Sequence, residues 1–492
     1  MKQRLVSLVI AAMLLCMAAV PAAVAQTVQP DFSEHVAVEY MGWSNNGLDG
    51  SDSVYKKIEE LFNMDLTYTS VPNGDYETFA NQRFASGDIP VMFKTMVPNV
   101  SSMEIYRQFK EDGAIINISE YVDKYGFENL KARLNEDWAQ PMREDDGFYM
   151  VPNKLGPAMQ AMFVRQDWVD KLGLAAPKTY DEFKTYLKAM VDADPDGNGA
   201  TGLTVVGVAG LEHVISAFTG KSGDWVFSNG EWVHKSLAEG FKEGVAYCAD
   251  LYKEGLLDAE FAMMNNTTIQ EKLTSGKAAA LILNGTAAWW NPMETALKAY
   301  KPDGVLGALS EWPAGPAGEI KQGGAYFFGA VHISSAATEA QRVRALAFMD
   351  WSLTQDCLDL FFYGIEGEQY TVVNGEKVID AEAKKAITFG RDLYLFYDLI
   401  NNTSQYNYLT IQPLIDNFHW LAGHTALNEV VGLSNEVTAE VSASIADVYN
   451  TWMVDFVTGR ADVNTQWDEY VAELKAAGSD RYAAEVVKYM AK

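Results

Sequence analysis

From Val36 the run VAVEYMGW sets apolar side chains at partly alternating positions, the pattern of a strand with a buried face, and it gives way to Ser44-Asn45-Asn46-Gly47, which carries turn chemistry. Over residues 51–62, SDSVYKKIEELF, the spacing becomes helical and puts Val54, Ile58, Leu61 and Phe62 on one face. MDLTYTSVP then predicts a second strand, Tyr76 to Ser86 a second helix, and Ile89 to Phe93 a third strand after the Gly87-Asp88 turn. Strand, helix, strand, helix, strand at these intervals predicts an α/β domain with a largely parallel sheet. Ligands of such sheets bind beyond the carboxyl ends of the strands, which brings Trp43, Ser44, Asn45, Lys94 and Thr95 to ligand-facing edges.

The same order returns after Tyr149, with short strands over 149–165, a helix from Tyr180 to Val191 and further strands over 203–209. Helices at 234–254, 264–275, 292–299, 336–359 and 465–489 dominate the rest. Neither a repeat of convincing period nor a low-complexity linker interrupts the pattern, so the chain reads as two α/β lobes that exchange the backbone several times. A length of 492 residues is too great for one growing core.

At the start, Lys2 and Arg4 precede the apolar run Leu5 to Val20, and Ala23-Val24-Ala25 forms a small-residue cleavage site before Gln26; residues 1–25 are therefore expected to be an export signal. Removing them takes the formal charge from −28 to −30, because two basic and no acidic side chains are lost. A polyanion of this size is a poor partner for nucleic acid or anionic lipid. Cys16 lies inside the signal. Lipid attachment there is the lesser alternative, since Leu15 rather than a small residue precedes it. Cys248 and Cys357 remain and are expected to be buried free thiols, with a single bridge as the lesser reading.

Three stretches carry a resemblance. Arg83-Phe84-Ala85-Ser86-Gly87-Asp88-Ile89-Pro90-Val91-Met92-Phe93 is the first. The second is Val164-Arg165-Gln166-Asp167-Trp168-Val169-Asp170-Lys171-Leu172-Gly173-Leu174, followed by Pro177-Lys178-Thr179-Tyr180-Asp181-Glu182-Phe183; the third is Tyr363-Gly364-Ile365-Glu366-Gly367-Glu368-Gln369-Tyr370. In this order they resemble the extracellular solute-binding proteins of bacterial ABC importers, in the large branch that includes alginate-oligosaccharide-binding proteins. The resemblance implies an α/β, two-lobed periplasmic-binding-protein-like fold with several crossover segments and a sugar-binding cleft between the lobes. It also implies docking on the importer's transmembrane permease subunits and no covalent chemistry. The lobes are expected to comprise 26–157 with 323–373 and 158–322 with 374–492, in an exported, extracellular or periplasmic monomer.

Sugars present apolar ring faces and peripheral hydroxyls, so their sites need aromatic platforms beside polar groups. The chain holds 12 Trp and 24 Tyr, enough to make aromatic supply no constraint on the choice. Trp43 and Asn45 stand at the end of the first strand. Asp75 begins a helix that it could equally cap, and Trp289 and Trp290 follow the strand-to-loop stretch Ile282-Leu283-Asn284-Gly285-Thr286, where one ring is expected on sugar and the other in the lobe. Trp312 and Tyr326 are loop and crossover candidates whose alternative is interlobe packing. For Glu366 and Tyr370, in the third of these stretches, the resemblance implies a place facing the cleft, whereas their four-residue spacing equally fits mutual support within one helical turn. Arg165 and Asp167 share one side of a strand and either pair or approach ligand. Lys94 and Arg391 are the cations that an acidic sugar would require, although the net charge favours a neutral one.

Asp194-Pro195-Asp196-Gly197-Asn198-Gly199-Ala200 has the first half of a calcium loop, with oxygen side chains at Asp194, Asp196 and Asn198 and a carbonyl at Ala200. The second half departs from it, since Val205 stands where the twelve-residue loop needs Glu, and Gly202 and Leu203 stand where the resemblance implies acidic groups. A structural Ca2+ is the expectation and an ion-free Asx-type turn the alternative. A secreted glycoside hydrolase is the enzyme rival, but paired carboxylates are trivial to find among 66 acidic residues, and no zinc-binding His-Glu-x-x-His, phosphate loop or serine elbow occurs.

Overall fold

The computed structural model describes residues 28–43, 52–72, 74–97, 100–154, 160–318, 321–322, 327–380, 382–383 and 411–491. Nine strands, β1 (Val36–Trp43), β2 (Met64–Val71), β3 (Met92–Thr95), β4 (Val151–Lys154), β5 (Gln160–Arg165), β6 (Thr201–Thr204), β7 (Ala278–Asn284), β8 (Leu306–Ala308) and β9 (Phe327–Ile333), form two sheets. The first has the order β2-β1-β3-β9-β4 and the second β8-β5-β7-β6. β1 runs parallel to β2, Val36 opposite Met64 through Trp43 opposite Val71, and parallel to β3, Tyr40 opposite Met92. β9 is antiparallel to both β3 and β4, so the expected largely parallel sheet is mixed. The parallel part is where helices make the crossovers; β9 returns from the second sheet and carries no such constraint.

The helix Ser53–Phe62 starts where the Asp52 carboxylate accepts a 2.9 Å hydrogen bond from the Tyr55 N–H. Val54, Tyr55, Ile58 and Phe62 are its buried face, whereas Leu61, expected on that face, is 44% exposed. The i, i+4, i+8 stripe meets the sheet and Leu61 falls off its edge. The third strand starts at Met92, beyond Pro90, which has no N–H to give to a ladder.

Two separate apolar cores follow the two sheets. Residues 36–151 and 330–361 supply nearly all of the first, and residues from 161–312 and 414–486 supply the second with its satellite cluster. The expected lobe boundary at 373 falls inside a β-hairpin, Tyr370–Val373 with Glu376–Ile379, and Lys377 pairs with Asp359 of the helix Gln355–Tyr363. The ladder and this ion pair keep both strands on the same side of the division.

Most of the expected helices are present. The expected strand over 203–209 ends at Thr204, and the helix Gly207–Thr219 begins there instead. The stretch 336–359 divides into Glu339–Trp351 and the start of Gln355–Tyr363, because Thr354 caps a new helix through the Cys357 N–H. The 23-residue helix Glu436–Thr458 is not among the expected elements, although Val441, Ile445, Tyr449, Trp452 and Phe456 mark its buried stripe. Cys248 and Cys357 are free and buried, as expected. Among the described residues no helix is long and apolar enough to cross a membrane.

Candidate ligand-binding site

β1 and β3 run parallel, so their carboxyl ends share one edge of the first sheet. Trp43, the last residue of β1, is half-buried with its ring edge on to Tyr76, centroids 5.3 Å apart and planes at 76°. The Lys94 ammonium lies 5.0 Å from the Trp43 ring centroid and 5.8 Å from that of Tyr40. The Tyr76 hydroxyl donates to the Lys94 carbonyl at 2.7 Å and so ties the helix Tyr76–Ala85 to β3. Gly329 on β9 has φ +82°, and a Cβ there would come 2.7 Å from the Trp43 ring, so only glycine leaves the indole its place. The result is an aromatic surface braced on several sides with a cation beside it. Asp75 is exposed and makes no side-chain cap bond, so the capping alternative for it is not realised.

In the second lobe Trp289 and Trp290 lie in the first turn of the helix Ala287–Tyr300 rather than on a loop. Trp290 is buried, with its centroid 5.9 Å from Phe163, while Trp289 is only partly covered. Trp312, a cleft candidate from sequence, is a core residue: it is 3% exposed, its indole N–H donates to Asn417 Oδ1 at 2.9 Å, and the His213 ring packs against it. Asn417, 105 residues away, left no sequence signal of that partnership. Glu366 and Tyr370 do not share a helical turn. The Gly367 N–H donates to the Tyr370 carbonyl at 2.8 Å, closing a turn into the hairpin, with Glu366 exposed and the Tyr370 ring 5.7 Å from that of Tyr363. Asn45, Tyr326 and Arg391 lie outside the described residues, as do Cys16 and the signal segment.

Arg165 and Asp167 are paired, the alternative to ligand contact. The guanidinium is fully buried, donates from Nε and Nη2 to the two Asp167 oxygens at 2.9 and 2.7 Å, and lies 4.7 Å from the Trp168 ring centroid. Its third nitrogen, Nη1, makes a 2.8 Å ion pair with Asp196 of the aspartate-rich loop, and Lys301 Nζ reaches the other Asp196 oxygen at 2.6 Å. Burial works to raise the Asp196 pKa, yet Lys301 and Arg165 hold it below the usual carboxylate range. Asp194 accepts from the Asn198 and Gly199 amides at 3.1 and 2.9 Å, and the Asn198 side-chain amide donates to the Ser275 carbonyl at 2.9 Å and the Tyr300 hydroxyl at 2.6 Å. Gly202 and Leu203, where further acids would be needed, are buried in β6. The three oxygen-bearing side chains thus have separate commitments, and among the described residues no three His, Cys, Asp or Glu gather as a metal site. As placed, these residues do not fit a calcium ion.

Residues 49–356 match the profile of a family described as bacterial extracellular solute-binding protein. The chain is 26% identical over 457 residues to the polygalacturonan/rhamnogalacturonan-binding protein YtcQ of Bacillus subtilis (strain 168), covering 88% of this chain and 87% of that one. The Streptococcus pneumoniae ABC-transporter substrate-binding protein FusA, solved with kestose, shares the fold at TM-score 0.69 and 19% identity, over 92% of this chain and 98% of its own. The alginate-binding protein AlgQ2, solved without calcium ion, does so at TM-score 0.66 and 21% identity, over 96% and 100%.

Proposed function

The chain belongs to the bacterial extracellular solute-binding proteins, and we propose that the solute it captures is an oligosaccharide, held between the lobes and handed to the permease subunits of an ABC importer. The observation that carries this reading is the similarity to a galacturonan-binding protein over nearly the full length of both chains. The Trp43 surface at the end of the first sheet supports it, because a sugar ring stacks on an indole while hydroxyls and charge are read by neighbours such as Lys94 and Asp75. Trp289 is the platform offered by the second lobe. Asn45, Tyr326, Glu366, Tyr370 and Arg391 remain expected contributors, whereas Arg165, Asp167, Trp290 and Trp312 serve the second lobe's interior.

The receptor works by differential affinity: a ligand that touches both lobes binds the closed arrangement better and shifts the population toward it. No bond in the sugar is made or broken. The net charge favours a neutral sugar, and Lys94 beside Trp43 together with the similarity to YtcQ favours one containing uronates. Export by the first 25 residues with cleavage after Ala25 completes the reading, and membrane attachment through a lipid on Cys16 is the alternative.

Calorimetric titration of the mature chain with fructo- and galacturono-oligosaccharides, with thin-layer analysis of the recovered sugar, tests it. Saturable binding of one series with the sugar intact is expected. Trp43→Ala should weaken it about 10- to 100-fold. Cleavage of the sugar, or no heat with any oligosaccharide, would overturn the proposal.

A further inference from the structure

We infer that the aspartate-rich loop of this chain has exchanged a bound divalent ion for a lysine of its own, Lys301, and that the second lobe is held at this point without calcium. This inference is independent of which solute the receptor takes.

The loop has calcium-loop spacing in its first half, so its side chains could have been directed to a common centre. They are not. Asp196, whose side chain is 5% exposed, turns inward, where its charge meets Lys301 at 2.6 Å and Arg165 at 2.8 Å. The Lys301 ammonium also stands 3.5 Å from Asp167, so two carboxylates and two cations form one compact cluster. A divalent ion added to it would approach Arg165 and Lys301 as like charges, at separations where repulsion in a low-dielectric site is severe.

The four charges come from parts of the chain far apart in sequence. Arg165 ends β5, Asp167 opens the helix Gln166–Leu172, Asp196 lies in the loop after the helix Tyr180–Ala193, and Lys301 follows the helix Ala287–Tyr300. One lysine therefore does what a bridging metal does in a loop of this kind: it neutralises the buried carboxylate and fastens the loop to neighbouring elements. The position is favourable for a further reason, since a cation at a helix carboxyl end meets the negative end of the helix dipole. The surroundings are built to match. Gly276, at φ +72°, has no room for a Cβ, which would fall 2.7 Å from an Asp196 oxygen and 2.9 Å from the Asn198 amide nitrogen. The turn at Gly276 is thus packed directly against the loop in its inward-facing form.

The test uses the full mature chain, stripped with EDTA and then titrated with CaCl2, with melting temperature and calorimetric heat as readouts. Wild type is expected to give no saturable heat up to millimolar calcium and a melting temperature within about 1 °C in EDTA and in calcium. Lys301→Ala is expected to melt several degrees lower in both, because it leaves Asp196 buried with Arg165 as its single cation. Lys301→Arg, which keeps the charge, should recover most of that loss. If Lys301→Ala does not fold, the wild-type titration and Lys301→Arg still decide the matter. Saturable wild-type binding with a Kd below about 100 μM, calcium rescue of Lys301→Ala, or a Lys301→Ala protein as stable as wild type would each overturn the inference.

Discussion

Each lobe has an arginine-centred ion cluster inside a family-like motif, and the two are built to different depths. In the first, Arg83 spans Glu39 on β1 at 2.6 Å and Asp88 at 2.8 Å, locking the end of the helix Tyr76–Ala85 to the sheet, with Arg83 17% and Asp88 61% exposed. In the second, Arg165 and Asp196 are 0% and 5% exposed. Similar groups at similar distances therefore work against different solvents. Water screens the first cluster and offers its members an alternative partner, while the second must be satisfied from within or remain as uncompensated buried charge. The same first-lobe sheet holds a buried neutral group, His332, with Nε2 2.8 Å from the Thr95 hydroxyl and Nδ1 3.1 Å from the Tyr149 carbonyl.

The comparison can be broken most directly at Arg165. Arg165→Ala is expected to cost about 3–5 kcal/mol in chemical denaturation, because Asp167 and Asp196 lose their buried partner; a cost under about 1 kcal/mol would mean that the two clusters are alike. Next in size is an effect of pH. Burial pushes His332 down to about 4 against an ordinary 6.5, with the hydrogen bond to Tyr149 opposing the shift. Between these values the unfolded chain binds the extra proton, so stability rises with pH there. Acidification from pH 6.5 to 4 should remove up to about 3 kcal/mol through this residue. His332→Gln should flatten that slope by this share, measured as unfolding free energy against pH, leaving the share of the similarly depressed His234.

Arg83→Ala should cost less, about 1–2 kcal/mol. Its hydrogen bonds hold the Glu39 pKa below the usual range, so the contribution is present above the unfolded value near 4.5 and fades as pH falls through the folded one. Smallest of all is the effect of salt. In 1 M NaCl, where the screening length is about 3 Å, the Arg83→Ala deficit should shrink while the Arg165→Ala deficit stays. Equal shrinkage would contradict the assigned difference in burial.

The framework of the first sheet was legible because short-range rules govern it. Alternation marks β1, the 54-58-62 spacing marks a helix, and Gly87 followed by Asp88 marks the turn between a helix and a strand. Of the candidate residues, only the positions of those in strands were legible, as for Trp43 at the end of β1 and Lys94 in β3. Trp312 shows the limit: an aromatic beside a proline in a loop looks available, and its burial depends on Asn417 and His213, which no local pattern brings to it. Lys301 is a further case, since nothing around it in the chain distinguishes it from other helix-terminal lysines.

By itself, the sequence determined the α/β class, the opening order of elements, the expectation of export and, through three motifs, the family. These are local or cumulative properties, written in side-chain periodicity and in the conformational limits of glycine and proline. Only the tertiary structure decided which charges became neighbours, that Trp312 is buried while Trp43 stays half-buried, and that the aspartate-rich loop turned inward to a lysine 105 residues away. Such choices depend on burial, which sets both the cost of an unpaired charge and the strength of a paired one, and burial belongs to the packed molecule rather than to any stretch of its chain.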